Sequence, residues 1–147
     1  MQILKKKIIK IQKNKGAYLF VDKVLFVKPE KKIEGFYNLK KDLWFFKEHW
    51  PGDPNMPGAL QLEAMTQMSS LIFFCLKENY QKTFYLVSID NSRFFKKVTP
   101  NFGKLFVKSK VLNNIRGLVT FEAVAYILNK KKTEKVVCKS QFKLVLK

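Results

Sequence analysis

The sequence predicts an α+β protein in which an antiparallel sheet wraps around one long buried helix. Three observations carry that prediction. A single long apolar run, opened by Pro57, extends from Ala59 to about Lys77. The C-terminal third alternates apolar and polar residues with period two, as in a sheet with one buried face. No repeat, low-complexity stretch or linker interrupts the 147 residues, so one domain over 1–147 is expected.

Residues 1–15 are lysine-rich with scattered isoleucines, which predicts a peripheral basic arm. Tyr18 to Val27 is rich in β-branched and aromatic residues and is expected as a strand. Lys31-Lys32 marks a turn, Ile33 to Leu39 a second strand, and Leu43 to Phe46 one helical turn. Pro57 suits the first turn of the long helix, where its missing N–H leaves no bond unmade. From Ala59 that helix is apolar on most faces, through Leu60, Leu62, Met65, Met68 and Leu71, so most faces are buried. Its exceptions Glu63, Gln67 and Ser70 follow i, i+4, i+7 and form one stripe. Two readings of the stripe stay open: a solvent-facing line, or one wall of a site.

The remainder predicts strands at 84–89, 94–98 and 104–112, with a turn at Asn113-Asn114. In 118–128, Val119, Phe121, Ala123, Ala125 and Ile127 share one face while Thr120 and Glu122 take the other. A lysine turn at 130–132 leads to a last strand in which Cys138, Ser140, Phe142 and Leu144 oppose Lys139, Gln141 and Lys143.

Lysine and arginine number 29 against 11 acidic residues, a net charge of +18, and only Arg93 and Arg116 are arginines. Lysine is a hydrated point charge, less suited than arginine to bidentate reading of phosphates or bases. A solvated lysine surface and attraction of an acidic partner both fit. Cys75 and Cys138 stand far apart without metal spacing, as reduced core thiols do. No segment is apolar for long enough to span a bilayer. Met1-Gln-Ile-Leu-Lys-Lys-Lys lacks the apolar stretch of a secretory signal. The expectation is a cytoplasmic protein with no membrane contact.

The segment His49-Trp-Pro-Gly-Asp-Pro-Asn-Met-Pro-Gly58 runs directly into Ala59-Leu-Gln-Leu-Glu63-Ala-Met-Thr-Gln67. His49 is the only histidine. It stands in a Pro/Gly loop before a helix that carries a lone carboxylate, Glu63. A neutral imidazole can take a proton near neutral pH. A carboxyl in an apolar wall keeps its proton, because burial disfavours the charged form. Such a pair suits an elimination, one group taking a proton from carbon and the other protonating the departing oxygen. The Gly58 N–H lies in the first helical turn, where backbone donors have no intrahelical partner. A thioester oxygen placed there would be stabilised as it gains charge.

The same residues resemble the signature of the β-hydroxyacyl-[acyl-carrier-protein] dehydratases of bacterial type II fatty acid synthesis. The resemblance extends to Leu19-Phe-Val-Asp22-Lys-Val and to Tyr85-Leu-Val-Ser-Ile-Asp90-Asn-Ser-Arg93-Phe94, covering roughly residues 18 to 146. It implies a hotdog fold, with His49 as general base, Glu63 as general acid and the Gly58 N–H as carbonyl donor. Glu at position 63 resembles the branch that dehydrates without isomerising. The resemblance further implies a channel lined by Trp50, Met56, Pro57, Gln67 and Phe94, and an acyl carrier protein met by Arg93, Lys96 and Lys97. It implies a homodimer with sites shared across the interface, possible assembly as a trimer of dimers, and neither metal nor cofactor. Glu48, Trp50, Gly16-Ala17-Tyr18 and Pro100-Asn-Phe-Gly103 depart from the family pattern.

Two competing classes remain at this stage. One is a thioesterase on the same fold. The other is a non-catalytic basic protein that binds acyl groups or nucleic acid, suggested by the charge and an aromatic fraction of 14%. The aromatics fall in apolar strands and the helix, where a core uses them, so no nucleic-acid partner is expected.

Overall fold

The computed structural model describes residues 1–147. Helices α1 (Lys5–Ile11), α2 (Trp44–Glu48) and α3 (Gly58–Phe74) accompany six strands. The strands are β1 (Lys23–Lys28), β2 (Lys32–Asn38), β3 (Phe84–Phe94), β4 (Lys104–Ile115), β5 (Leu118–Leu128) and β6 (Glu134–Leu146). They form one antiparallel sheet in the order β1-β2-β4-β5-β6-β3, with β1 and β3 at the edges.

α3 packs on one face of the sheet. Between Ala64 and Phe74 it is buried on every side, as its uninterrupted apolar composition requires. Under its C-terminal half, Phe73 meets Phe84 and Phe121 edge-on at 5.4 and 6.2 Å, and Phe142 continues the cluster from β6. β5 turns Val119, Phe121, Ala123, Ala125 and Ile127 into this core, the face read from its alternation.

Several elements differ from the sequence reading. Pro57 is the N-cap of α3, not its first helical residue, and its carbonyl accepts from Leu60 and Gln61 N–H at 3.0 Å each. α3 stops at Phe74, and the Asn79 side chain donates to the Phe73 carbonyl at 3.0 Å, occupying a group the helix leaves free. β1 begins at Lys23, because residues 16–18 form a 3₁₀ turn. β4 runs through Asn113-Asn114 to Ile115. The turn falls on Arg116 and Gly117, with φ of 51° and 86°, the two positive values that a tight hairpin between twisted strands needs. The strand expected at 84–89 continues to Phe94 as β3, with irregular register at Leu86/Ser88 and Ile89/Asn91, whereas the strand expected at 94–98 is absent, residues 95–98 being irregular chain.

Residues 1–15 are more than a basic arm. Ile3 bridges Val24, and α1 buries Ile8 and Ile11 in the core. Lys5 donates to the Val21 carbonyl at 2.8 Å and pairs with Asp22 at 2.6 Å.

Candidate active site

His49 caps the C-terminal end of α2, its N–H donating to the Phe45 carbonyl at 3.0 Å. Its ring Nδ1 lies 3.2 Å from the Asn55 carbonyl. A carbonyl oxygen only accepts, so Nδ1 carries a hydrogen, and in the neutral ring the free lone pair is on Nε2. The ring is half-buried and stacks on Trp50 at 5.4 Å. Neighbouring Glu48 is exposed.

The loop that follows is tied at several points. Asn55 Nδ2 donates to the Asp53 carbonyl at 2.8 Å, and Met56 N–H to the Val98 carbonyl at 2.8 Å. Gln61, one turn into α3, donates back to the Met56 carbonyl at 3.1 Å. Asp53 pairs with Lys97 at 2.6 Å. The histidine loop, the start of α3 and the segment after β3 are thereby held together.

Gly58 opens α3, and its N–H has no hydrogen-bond partner in the protein. A Cβ added there would lie 2.8 Å from the Phe94 ring, so glycine is required for Phe94 to lie against the helix tip.

Glu63 is half-buried on the stripe read from the sequence. That stripe is not a solvent line: Gln67 is 2% exposed and Ser70 5%. Gln67 Nε2 donates to Glu63 Oε1 at 2.9 Å and to the Tyr18 carbonyl at 2.8 Å, while its Oε1 accepts from Phe20 N–H at 2.8 Å. The two backbone contacts fix which end of the amide faces Glu63. Glu63 Oε2 is left without a protein partner. The Tyr18 hydroxyl is shifted upward in pKa, first by burial and then by the Glu63 charge.

Glu63, Gln67 and Ser70 line a groove of about 130 Å³, with Phe84, Leu86 and Leu144 on the sheet side. Gln12, from the end of α1, lies in it and bonds the Gln67 carbonyl at 2.9 Å and Ser70 Oγ at 3.0 Å. Sequence reasoning missed Gln12 and Asn55. Asn55 had a signal, being the one amide in the His49 loop. Gln12 had none, because its partners lie 55 and 58 residues away.

Of the other expected site residues, Met56 is buried in the core, Pro57 is half-buried at the cap and Trp50 is 59% exposed. Lys96 and Lys97 are exposed near the histidine loop, Lys96 with its ammonium 5.3 Å from the Phe102 ring centre. Arg93 lies on the other face of the sheet from Phe94, in a cleft with Glu122 and Lys139. His49 is not among the residues that line the Glu63 groove of the same chain.

A sheet wrapped on one buried helix is the architecture of the hotdog proteins. Solved structures agree at the level of fold. A dehydratase heterocomplex from Xenorhabdus doucetiae superposes with a TM-score of 0.75, covering 95% of this chain and 90% of that one at 12% identity. A thioesterase from Haemophilus influenzae gives 0.68 over 99% and 91% at 16% identity. The chain belongs to the FabA-like domain family, whose model matches residues 13–137. It is similar to the 3-hydroxyacyl-[acyl-carrier-protein] dehydratase FabZ of Ralstonia nicotianae, 34% identical over 125 residues, 83% of this chain and 76% of that protein. The FabZ dehydratase of Burkholderia thailandensis is 35% identical over 124 residues, 82% and 77% of the two chains.

Proposed function

We propose that this protein dehydrates a β-hydroxyacyl thioester on acyl carrier protein to the trans-2-enoyl thioester in the cytoplasm, without isomerising it. The observation that carries the reading is the His49 tautomer. The Asn55 carbonyl holds the Nδ1 hydrogen, so Nε2 is available to take a proton from the α-carbon. The electron pair of that C–H bond forms the new double bond as the β C–O bond breaks. Glu63 delivers a proton from Oε2 to the departing hydroxyl, which leaves as water. Gln67 occupies Oε1 and keeps the other oxygen for this step. The unpartnered Gly58 N–H is the donor to the thioester oxygen. Proton return from His49 to Glu63 through solvent restores both groups.

The reaction is assigned to a site shared by two copies of the chain. His49 stands outside the groove of its own Glu63, so the partner subunit's His49 supplies the base. Edge strand β3 supports this assembly. It has 11 residues, pairs on one side only and exposes Tyr85, Leu86, Val87 and Ile89, a surface that a monomer seldom leaves bare. Trp50, Pro57, Gln67 and Phe94 line the route to the reacting atoms, with Met56 behind them. Lys96 and Lys97, beside the histidine loop, provide the basic rim that steers an acidic carrier, while Arg93, on the other face of the sheet, stands apart from it.

The test is turnover of a carrier-bound β-hydroxyacyl substrate, followed by enoyl absorbance and free thiol together. Enoyl product is expected; thiol release without it would replace this reading by hydrolysis. His49→Ala and Glu63→Gln are each expected to slow dehydration by about 10²–10⁴-fold. Mixing the two inactive variants is expected to restore part of the activity, and no recovery despite proven subunit exchange excludes a shared site.

A further inference from the structure

The groove that Glu63 lines is small, about 130 Å³, and Gln12 forms part of its wall. If Glu63 protonates the β-hydroxyl, the acyl chain beyond the β-carbon enters this groove, along the stripe Glu63, Gln67, Ser70, Phe74. Gln12 packs against that stripe and narrows the groove. Its contacts at residues 67 and 70 stand four and seven positions beyond Glu63, about 6–10 Å along the helix axis.

Gln12 is pinned in place. Both amide hydrogens are used, one on the Gln67 carbonyl and one on Ser70 Oγ, and its Oε1 accepts from Lys13 N–H at 2.9 Å. Its own N–H bonds the Ile8 carbonyl at 2.8 Å, and it is 2% exposed. Moving it aside would leave several buried polar groups unmade at once, which packing alone does not repay. Lys13 adds a second obstacle. Its ammonium donates to the Tyr80 carbonyl at 2.7 Å and lies 5.6 Å from the centre of the Phe74 ring. An apolar tail reaching Phe74 would have to displace water from that charge.

We propose that Gln12 narrows the acyl groove and restricts this enzyme to short β-hydroxyacyl chains. The proposal rests on the dehydratase reading above and adds a specificity-determining residue to it. Truncating Gln12 widens the groove that Glu63 shares with Phe74, Phe84 and Leu86, whose apolar surface a longer chain can then cover.

The experiment is a series of carrier-bound β-hydroxyacyl substrates from four to fourteen carbons, given to the natural protein and to Gln12→Ala. The natural protein is expected to favour the shortest members over the longest by at least about tenfold in kcat/KM, the scale on which a few methylenes are discriminated. Gln12→Ala is expected to shift the optimum to longer chains while still turning over the shortest. If Gln12→Ala does not fold, Gln12→Asn, one methylene shorter with the same amide, replaces it. A natural protein that turns over long chains as well as short ones, or an unchanged length profile in the folded variant, overturns the proposal while leaving the dehydratase reading intact. No dehydration at any length overturns the reaction itself, and the gate with it.

Discussion

Gln67 links the acid to the chain that carries it. Its amide joins two backbone groups of the segment after α1 to one oxygen of Glu63. Gln67→Met keeps the volume and removes the polar contacts. The Phe20 N–H and Tyr18 carbonyl then lose their partners, so a loss of about 1–3 kcal/mol is expected in chemical denaturation. Turnover falls as well, through kcat more than KM, because Glu63 loses its orientation. A variant as stable and as active as the parent would show that Gln67 only fills space. The two thiols belong to the same scale. Burial pushes Cys138 up to about 12 and raises Cys75 as well. The Cys138 thiol therefore stays protonated in the folded chain at pH values where the unfolded chain has already lost its proton. The stability this confers is complete below about pH 9 and is lost as pH rises from there toward 12. Melting temperatures between pH 8 and 11 should decline, and Cys138→Ala should flatten part of that decline; an identical slope in the variant would exclude this thiol as its source.

Elements were legible in the sequence where a single physical demand governed them. β5 turns a continuous apolar face into the core and has no special turn inside it, so its alternation gave both ends. α3 was legible for the same reason, since burial on most sides asks for continuous apolar residues. The misreadings have particular causes. Asn113-Asn114 has turn chemistry, yet the chain turns at Arg116-Gly117, with Asn114 Oδ1 accepting the Gly117 N–H at 3.0 Å from the end of the strand. The polar run Asp90-Asn91-Ser92 looks like a break, but on an edge strand it costs little and β3 passes through it. α1 spans seven residues and buries only Ile8 and Ile11, too little for a period to show. The site was half legible. His49, Gly58, Glu63 and Gln67 lie within one continuous segment and declare themselves by residue type. Gln12 reaches them only through the fold. At this scale the meeting of helix tip and strand end is testable. Gly58→Ala drives a methyl into Phe94, so activity should fall. Adding Phe94→Ala to relieve the clash should recover stability more than turnover, since Phe94 is also proposed to line the substrate route. Full activity in Gly58→Ala alone would mean that Phe94 moves freely.

Across the whole molecule, charge and edge act on different partners. Most lysines are exposed, and pairs such as Lys97 with Asp53 are open to water and add little stability. With the proposed acidic carrier as partner, the long-range field of a chain with net charge +18 would speed encounter and weaken as salt rises. β3 carries the short-range term. Tyr85, Val87 and Ile89 are 58%, 55% and 44% exposed on a strand whose outer backbone groups have no neighbour. A second copy pairing there would satisfy those groups and cover the apolar side chains together. Val87→Lys places a charge on that seam without entering the core, so the protomer should still fold. Self-association should weaken by roughly tenfold or more, as for a well-buried interface position. Activity should fall with it and recover at high protein concentration, because the shared site depends on mass action. Sedimentation and turnover measured over the same concentration range check both. A Val87→Lys protein that sediments as a monomer and retains full turnover would place the whole site within one chain, and with it the base at a group other than the partner subunit's His49.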